Sequence, residues 1–140
     1  MRNIEEQMQI ACVRWFEIQF PGLKNLLHHS PNGGRRDKVT AAKFKAMGTR
    51  KGFPDLILLL PNHEGYHYLA IELKTKTGRQ EPEQKEFERL MNSHGGKYVV
   101  IRDTLDFIRE VKAYIYRPKE MPPDNPNPYR FEAAKEEKQK

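Results

Sequence analysis

The sequence predicts an α/β fold, a central mixed β-sheet flanked by helices, and three observations predict it. An apolar run, Leu56 to Leu60, follows Asp55 without interruption, the pattern of a strand buried on both faces. The turn formers Pro61-Asn62-His63-Glu64-Gly65 separate it from a second β-favouring stretch, Tyr66 to Thr75, so these two strands read as a hairpin. A helical segment then leads to Lys97–Arg102, a third strand. A crossover through a helix makes the second and third strands parallel neighbours. The 140 residues suffice for one compact domain with a modest core.

The elements follow in order. Ile4 to Phe20 reads as an amphipathic helix, with Ile4, Met8, Ala11, Cys12, Trp15 and Ile18 at helical spacing and Pro21-Gly22 ending it. Leu23 to His29 is either a short strand or a connection. A second helix is expected over about Val39 to Met47, with Asp37 near its N-cap and Gly48 as its stop. After the hairpin, Glu81-Pro82-Glu83 opens a third helix with acidic residues at its positive end and Pro in the first turn. Phe87, Leu90 and Met91 form its apolar stripe, and Gln84, three residues before Phe87, extends that inward face. Gly95-Gly96 stops it. Asp103 or Thr104 caps a last helix through Tyr116, with Leu105, Ile108, Val111, Ala113 and Ile115 available for packing. Residues 1–116 therefore form the domain, and 117–140 a Pro-rich, charged C-terminal tail whose Tyr129 and Phe131 could be held by a partner subunit.

Strand geometry singles out four side chains. Leu69, Ile71 and Leu73 share one face of the second strand, and Ala70, Glu72 and Lys74 the other. A hairpin centred between His63 and Glu64 sets Glu72 directly opposite Asp55, with Cβ atoms roughly 5 Å apart. Two carboxylates that close repel, leaving one hard to ionise unless a cation lies between them. Oxygen ligands of this kind suit Mg²⁺ or Mn²⁺ rather than zinc. A polar amide turned inward needs a partner, and strand ends bearing carboxylates would supply one for Gln84. Charges at strand ends are commonly just solvated; the joint placement of Asp55, Glu72 and Lys74 is what argues for chemistry.

Charge distribution points the same way. Arg35, Arg36, Lys38, Lys43, Lys45, Arg50 and Lys51 lie within 35–51 against Asp37 alone, which accounts for the whole net charge of +6. Such a cluster, following Asn32-Gly33-Gly34, whose backbone N–H groups can approach an anion closely, reads as a phosphate-binding surface. The single cysteine, Cys12, is expected to be buried and inert, which leaves no disulfide framework and no zinc site. No long apolar stretch suggests a membrane span. Glu5-Glu6 near Met1 is the wrong charge for a signal peptide, so an intracellular location is expected.

The order of these motifs resembles the PD-(D/E)XK nuclease superfamily, and more narrowly a stand-alone VRR-NUC domain. The matching residues are Glu5, Gln9 and Trp15, Pro31-Asn32-Gly33-Gly34 and Lys45-Ala46-Met47-Gly48. Gly52-Phe53-Pro54-Asp55-Leu56, Ile71-Glu72-Leu73-Lys74 and Pro82-Glu83-Gln84-Lys85 complete the series, over roughly residues 4 to 116. The resemblance implies a restriction-endonuclease-like fold and a Mg²⁺-dependent endodeoxyribonuclease, with Mn²⁺ able to substitute. By it, Asp55, Glu72 and Glu5 (or its neighbour Glu6) are metal ligands, joined by the backbone carbonyl of Leu73. Lys74 is the active-site lysine, and Gln84 lines the site. The implied substrate is branched DNA such as a four-way junction, cut to 5′-phosphate and 3′-hydroxyl ends by a homodimer in the cytoplasm of a bacterial or phage-infected cell. Asn32, Gly33, Arg35, Arg36, Lys38, Lys43, Arg50 and Lys51 would contact DNA. Alternatives are a flap nuclease or other DNA nuclease on the same fold, and a non-catalytic DNA-binding module. One departure is the third helix, where family members often have a Ser or Thr cap and this chain has Glu81.

Overall fold

A computed structural model describes residues 3–31 and 37–122. The element order is α1 (Ile4–Gln19), a 3-10 helix (Pro21–Leu26), β1 (Leu27–His29), α2 (Lys38–Ala46), β2 (Leu56–Leu58), β3 (Leu69–Leu73), α3 (Pro82–Ser93), β4 (Lys97–Ile101), α4 (Thr104–Ile115) and a final 3-10 turn (Pro118–Glu120). The sheet runs β1-β2-β3-β4, antiparallel at the first two pairings and parallel between β3 and β4. The ambiguous stretch after Pro21 is thus both a connection and an edge strand.

The hairpin register is the one its symmetry predicts: Leu56 opposes Ile71, Ile57 opposes Ala70 and Leu58 opposes Leu69. The loop that sets it is organised by Asn62, whose side-chain oxygen accepts from the Glu64 and Tyr66 N–H groups, both at 3.1 Å. Its amide donates to the Tyr114 carbonyl, tying the turn to α4. β2 is shorter than its apolar run: Leu59 lies beyond the strand and is exposed, although its N–H still donates to the Leu26 carbonyl at 2.9 Å.

Alternation along the strands sends side chains to two faces. On one, Leu56, Leu58, Leu69, Ile71, Leu73 and Ile101 pack against Met8, Cys12, Trp15 and Phe16 of α1 and Phe107, Ile108, Val111 and Tyr114 of α4. Trp15 meets Phe20 and Phe107 edge-on, with centroids 5.8 and 6.0 Å away. On the other face Ile57, Ala70 and Tyr98 pack against Phe53, Phe87 and Met91. Burial pushes the Cys12 thiol up to about 12, so it is inert as expected.

Three packing expectations are corrected. Ile4 is exposed: the buried residues of α1 begin only one turn later, at Met8. Leu105 is exposed and Phe107 and Tyr114 are buried instead: α4 is apolar on several sides, and the i, i+4, i+7 row from Phe107 through Val111 to Tyr114 wins the core. Leu90 of α3 is also exposed, since only Phe87 and Met91 reach the sheet.

Helix ends behave as their sequences suggest. Asp37 and Asp103 accept from Thr40 and Asp106 N–H groups at 2.6 and 2.8 Å. Glu81 occupies the N-cap of α3, and Gln84 Oε1 accepts from the Glu81 N–H at 2.7 Å, so the helix start is satisfied without Ser or Thr.

Candidate active site

Asp55 precedes β2 by one residue, on the α3 side with Ile57. Continuing the register by one step sets it opposite Glu72, which β3 carries on that same side with Ala70. The two carboxylates are close enough for the Asp55 charge to hinder ionisation of Glu72. Asp55 Oδ2 accepts from the Leu73 N–H at 2.7 Å, which locks the carboxylate across the strand end.

Glu72 is the most confined acid among the described residues, 1 % exposed. Oε1 accepts from Gln84 Nε2 and Oε2 from the Tyr98 hydroxyl, each at 2.8 Å. The Gln84 amide is therefore fully oriented: its oxygen caps α3 and its nitrogen holds Glu72. Burial, and then the Asp55 charge beside it, push the Glu72 carboxyl up to about 8. The Tyr98 hydrogen bond and the Lys74 ammonium oppose that rise. Lys74 itself is 9 % exposed, its N–H bonded to the Ile101 carbonyl at 2.9 Å. Arg102 fixes the following loop by donating to the Thr75 and Gly78 carbonyls at 2.7 and 2.8 Å.

The approach of α3 to this site depends on Gly52. Its φ is +85°, and a Cβ there would lie 2.7 Å from the Glu83 backbone and 2.9 Å from the Gln84 nitrogen. Only glycine lets the segment that delivers Asp55 pass the helix start that delivers Gln84.

Glu5 lies in an adjoining cleft of about 460 Å³ that Asp55 and Leu73 also line. Glu5 and Gln9 are half-buried, one turn apart on α1, whereas Glu6 is exposed although it too borders the cleft. Among the described residues, no three His, Cys, Asp or Glu side chains gather into a single ready-made cluster. Asp55 and Glu72 are paired, and Glu5 lines the same cleft as Asp55. These donors fit a hard divalent cation: they are oxygen ligands, and Glu72 holds its charge poorly without a compensating positive one.

Four of the eight expected DNA contacts, Lys38, Lys43, Arg50 and Lys51, fall among the described residues. Lys38 and Lys43 are exposed on α2, which buries no residue. The Arg50 guanidinium donates to the Lys45 carbonyl at 2.9 Å, and Lys51 pairs with Glu83 at 3.5 Å. Asn32, Gly33, Gly34, Arg35 and Arg36 lie outside the described residues, as do Tyr129 and Phe131 of the tail.

Two site residues escaped the sequence. His29 of β1 donates from Nδ1 to the Asp55 carbonyl at 2.7 Å; a carbonyl only accepts, so that nitrogen carries the proton. Tyr98 pairs with Ala70 in the parallel ladder, so its side chain shares the Glu72 face. A buried tyrosine needs a hydrogen-bond partner, and that was the available signal.

A mixed sheet with helices on both faces and an opposed Asp–Glu pair beside a lysine at its strand ends defines a nuclease-type α/β fold of the PD-(D/E)XK superfamily. The chain belongs to the VRR-NUC domain family, whose model matches residues 3–104. A solved structure titled "VRR_NUC domain protein" is similar at 33% identity and a TM-score of 0.70, covering 82% of this chain and 90% of that one. No curated protein matches. No helix of the described residues is long and apolar enough to cross a membrane.

Proposed function

We propose that the protein is a divalent-metal-dependent endonuclease that hydrolyses phosphodiester bonds in branched DNA, in the manner of a four-way-junction resolvase acting as a homodimer. The observation that carries this reading is the Asp55–Glu72 pair, two carboxylates set opposite each other by the strand register, of which one is buried and held at both oxygens. Family membership supports nuclease chemistry; the branched substrate and the homodimer are what the resemblance of the sequence motifs implies.

Asp55 and Glu72 would hold a Mg²⁺ or Mn²⁺ ion, with Glu5 and the Leu73 carbonyl as further donors from the cleft. Such an ion supplies Lewis acidity toward a phosphate oxygen and makes water more acidic. Gln84 and Tyr98 keep the Glu72 oxygens fixed, so little reorganisation is needed when the substrate arrives. His29 and the Leu73 N–H do the same for Asp55 from both ends of that residue. Lys74 places a positive charge beside Glu72, where it offsets negative charge building on the phosphate. Lys38 and Lys43, with Arg35 and Arg36, would neutralise backbone phosphates without reading sequence.

The test is a cleavage panel of labelled single strand, linear duplex, flap and four-way junction, each with Mg²⁺, Mn²⁺ or EDTA. Asp55→Asn runs beside it, a change that keeps an acceptor for the Leu73 N–H while removing the charge. Paired nicks in the junction with metal, absent in EDTA and reduced at least about a thousandfold in the variant, are expected. Unchanged cutting by Asp55→Asn would refute the site. Preferential cutting of the flap would reassign the branch, and binding without cutting under any metal would leave a non-catalytic module.

A further inference from the structure

A second cavity, of about 590 Å³, lies beside the acidic cleft, within the roughly 300–1,000 Å³ range of small-molecule sites. Phe53 and Phe87 form one wall, edge to face with centroids 5.5 Å apart at 81°. Phe44 and Met47 of the α2 region form another. His29, Ser30 and Pro31 border this slot and the acidic cleft alike, so the two cavities share a wall. That wall is anchored to the site itself, through the His29 bond to the Asp55 carbonyl.

We propose that the slot receives one unpaired nucleobase of the strand whose phosphate lies at Asp55 and Glu72. The assignment rests on the nucleic-acid reading of the cleft and adds a substrate feature to it. Aromatic and thioether walls suit a flat π-surface, and base–aromatic stacking tolerates every base. The charge around the slot favours a polyanion: Lys43 and Lys45 end α2, and Arg50 lines the slot. A second copy of this chain, carrying the same +6, would meet like charge there.

The inference has a consequence for selectivity. A base inside a duplex is paired and stacked, and costs a few kcal/mol to extrude; a base at a branch point or bulge is already loose. A slot of this kind beside the scissile position would therefore favour DNA with an unpaired nucleotide next to the cut. It would do so with little dependence on base identity, because stacking against Phe44, Phe53 and Phe87 suits the π-face that every base has.

The experiment is a fluorescence titration of the full chain in Ca²⁺, chosen to suppress cutting. The probes are a duplex with a single bulged 2-aminopurine, the same duplex with that base paired, and one with an abasic residue in the bulge. The expected result is quenching of the bulged 2-aminopurine and about tenfold tighter binding than to the abasic duplex. Phe44→Ala should remove that tenfold preference and leave affinity for the abasic duplex unchanged. α2 buries no residue, so the fold should survive, as a melting curve would confirm. Met47→Ala, at a residue 71% exposed, is the second variant and should reduce the preference in the same direction. Equal affinity for bulged and abasic probes, or an equal loss on both in the two variants, would overturn the assignment. So would a change of oligomeric state in sedimentation of Phe44→Ala, which would place a second copy in the slot. Because binding is read without cleavage, an inactive enzyme that still prefers the bulged base would sink only the hydrolysis proposal. An active one without that preference would sink only the slot.

Discussion

Against one face of the sheet α1 and α4 lay Trp15, Phe16, Phe107 and Tyr114, all fully buried; against the other α3 lays no fully buried residue. The first face is apolar and aromatic, and the buried Tyr114 hydroxyl on it is satisfied by the Leu60 carbonyl. Among the described residues, the second holds only Ile57, Ala70 and Tyr98 as a buried apolar cluster, with Glu72 and Lys74 beside them. The difference shows how a small domain separates stability from chemistry. One face supplies enough apolar burial to tolerate a destabilising carboxylate pair on the other.

Substitutions on the two faces should therefore fail in opposite ways. Glu72→Gln should reduce cleavage at least about a thousandfold while leaving the metal-free protein as stable at pH 8, or more so, since it removes a buried charge. Trp15→Ala should cost about 3–5 kcal/mol of stability and leave the rate per folded molecule nearly intact. Parallel denaturant melts and single-turnover cleavage would check both. Loss of stability in Glu72→Gln and loss of rate in folded Trp15→Ala would erase the distinction between the faces.

A smaller effect sharpens the comparison through pH. Glu72 sits at about 8 in the folded protein against its usual 4.5, so its neutral form is favoured by folding. That contribution is fully present below about 4.5 and is lost as pH rises through about 8. The metal-free protein should thus lose up to about 1.4 kcal/mol of stability per pH unit across this window. Glu72→Gln should flatten that slope, which urea melts in EDTA from pH 5 to 8 would measure. Trp15→Ala should lower the whole curve without changing its slope.

Much of this arrangement was legible in the chain. The hairpin symmetry about His63 and Glu64 brought Asp55 to Glu72, and the period of two sent Glu72 and Lys74 away from Leu69, Ile71 and Leu73. Local signals of this kind read well because they need no knowledge of distant neighbours. Tyr98 and His29 were harder. Each acts across a strand pairing, and the sequence offered neither the facing of β4 nor a firm β1. The burial of Phe107 rather than Leu105 was hidden for a related reason: a helix apolar on several sides leaves its inward row to tertiary packing. The slot under α2 was not legible at all, since its walls come from four separated segments.

The central claim is that Asp55 and Glu72 together bind a divalent cation, and calorimetric titration of Mn²⁺ into DNA-free protein tests it most directly. Run near pH 7 in buffers of different ionisation enthalpy, wild type should bind Mn²⁺ and release up to about one proton per ion, the proton Glu72 otherwise keeps. That release should fade above pH 9 and vanish with Glu72→Gln, along with most of the affinity. Absence of Mn²⁺ binding, or binding that Asp55→Asn and Glu72→Gln leave unchanged, would contradict it.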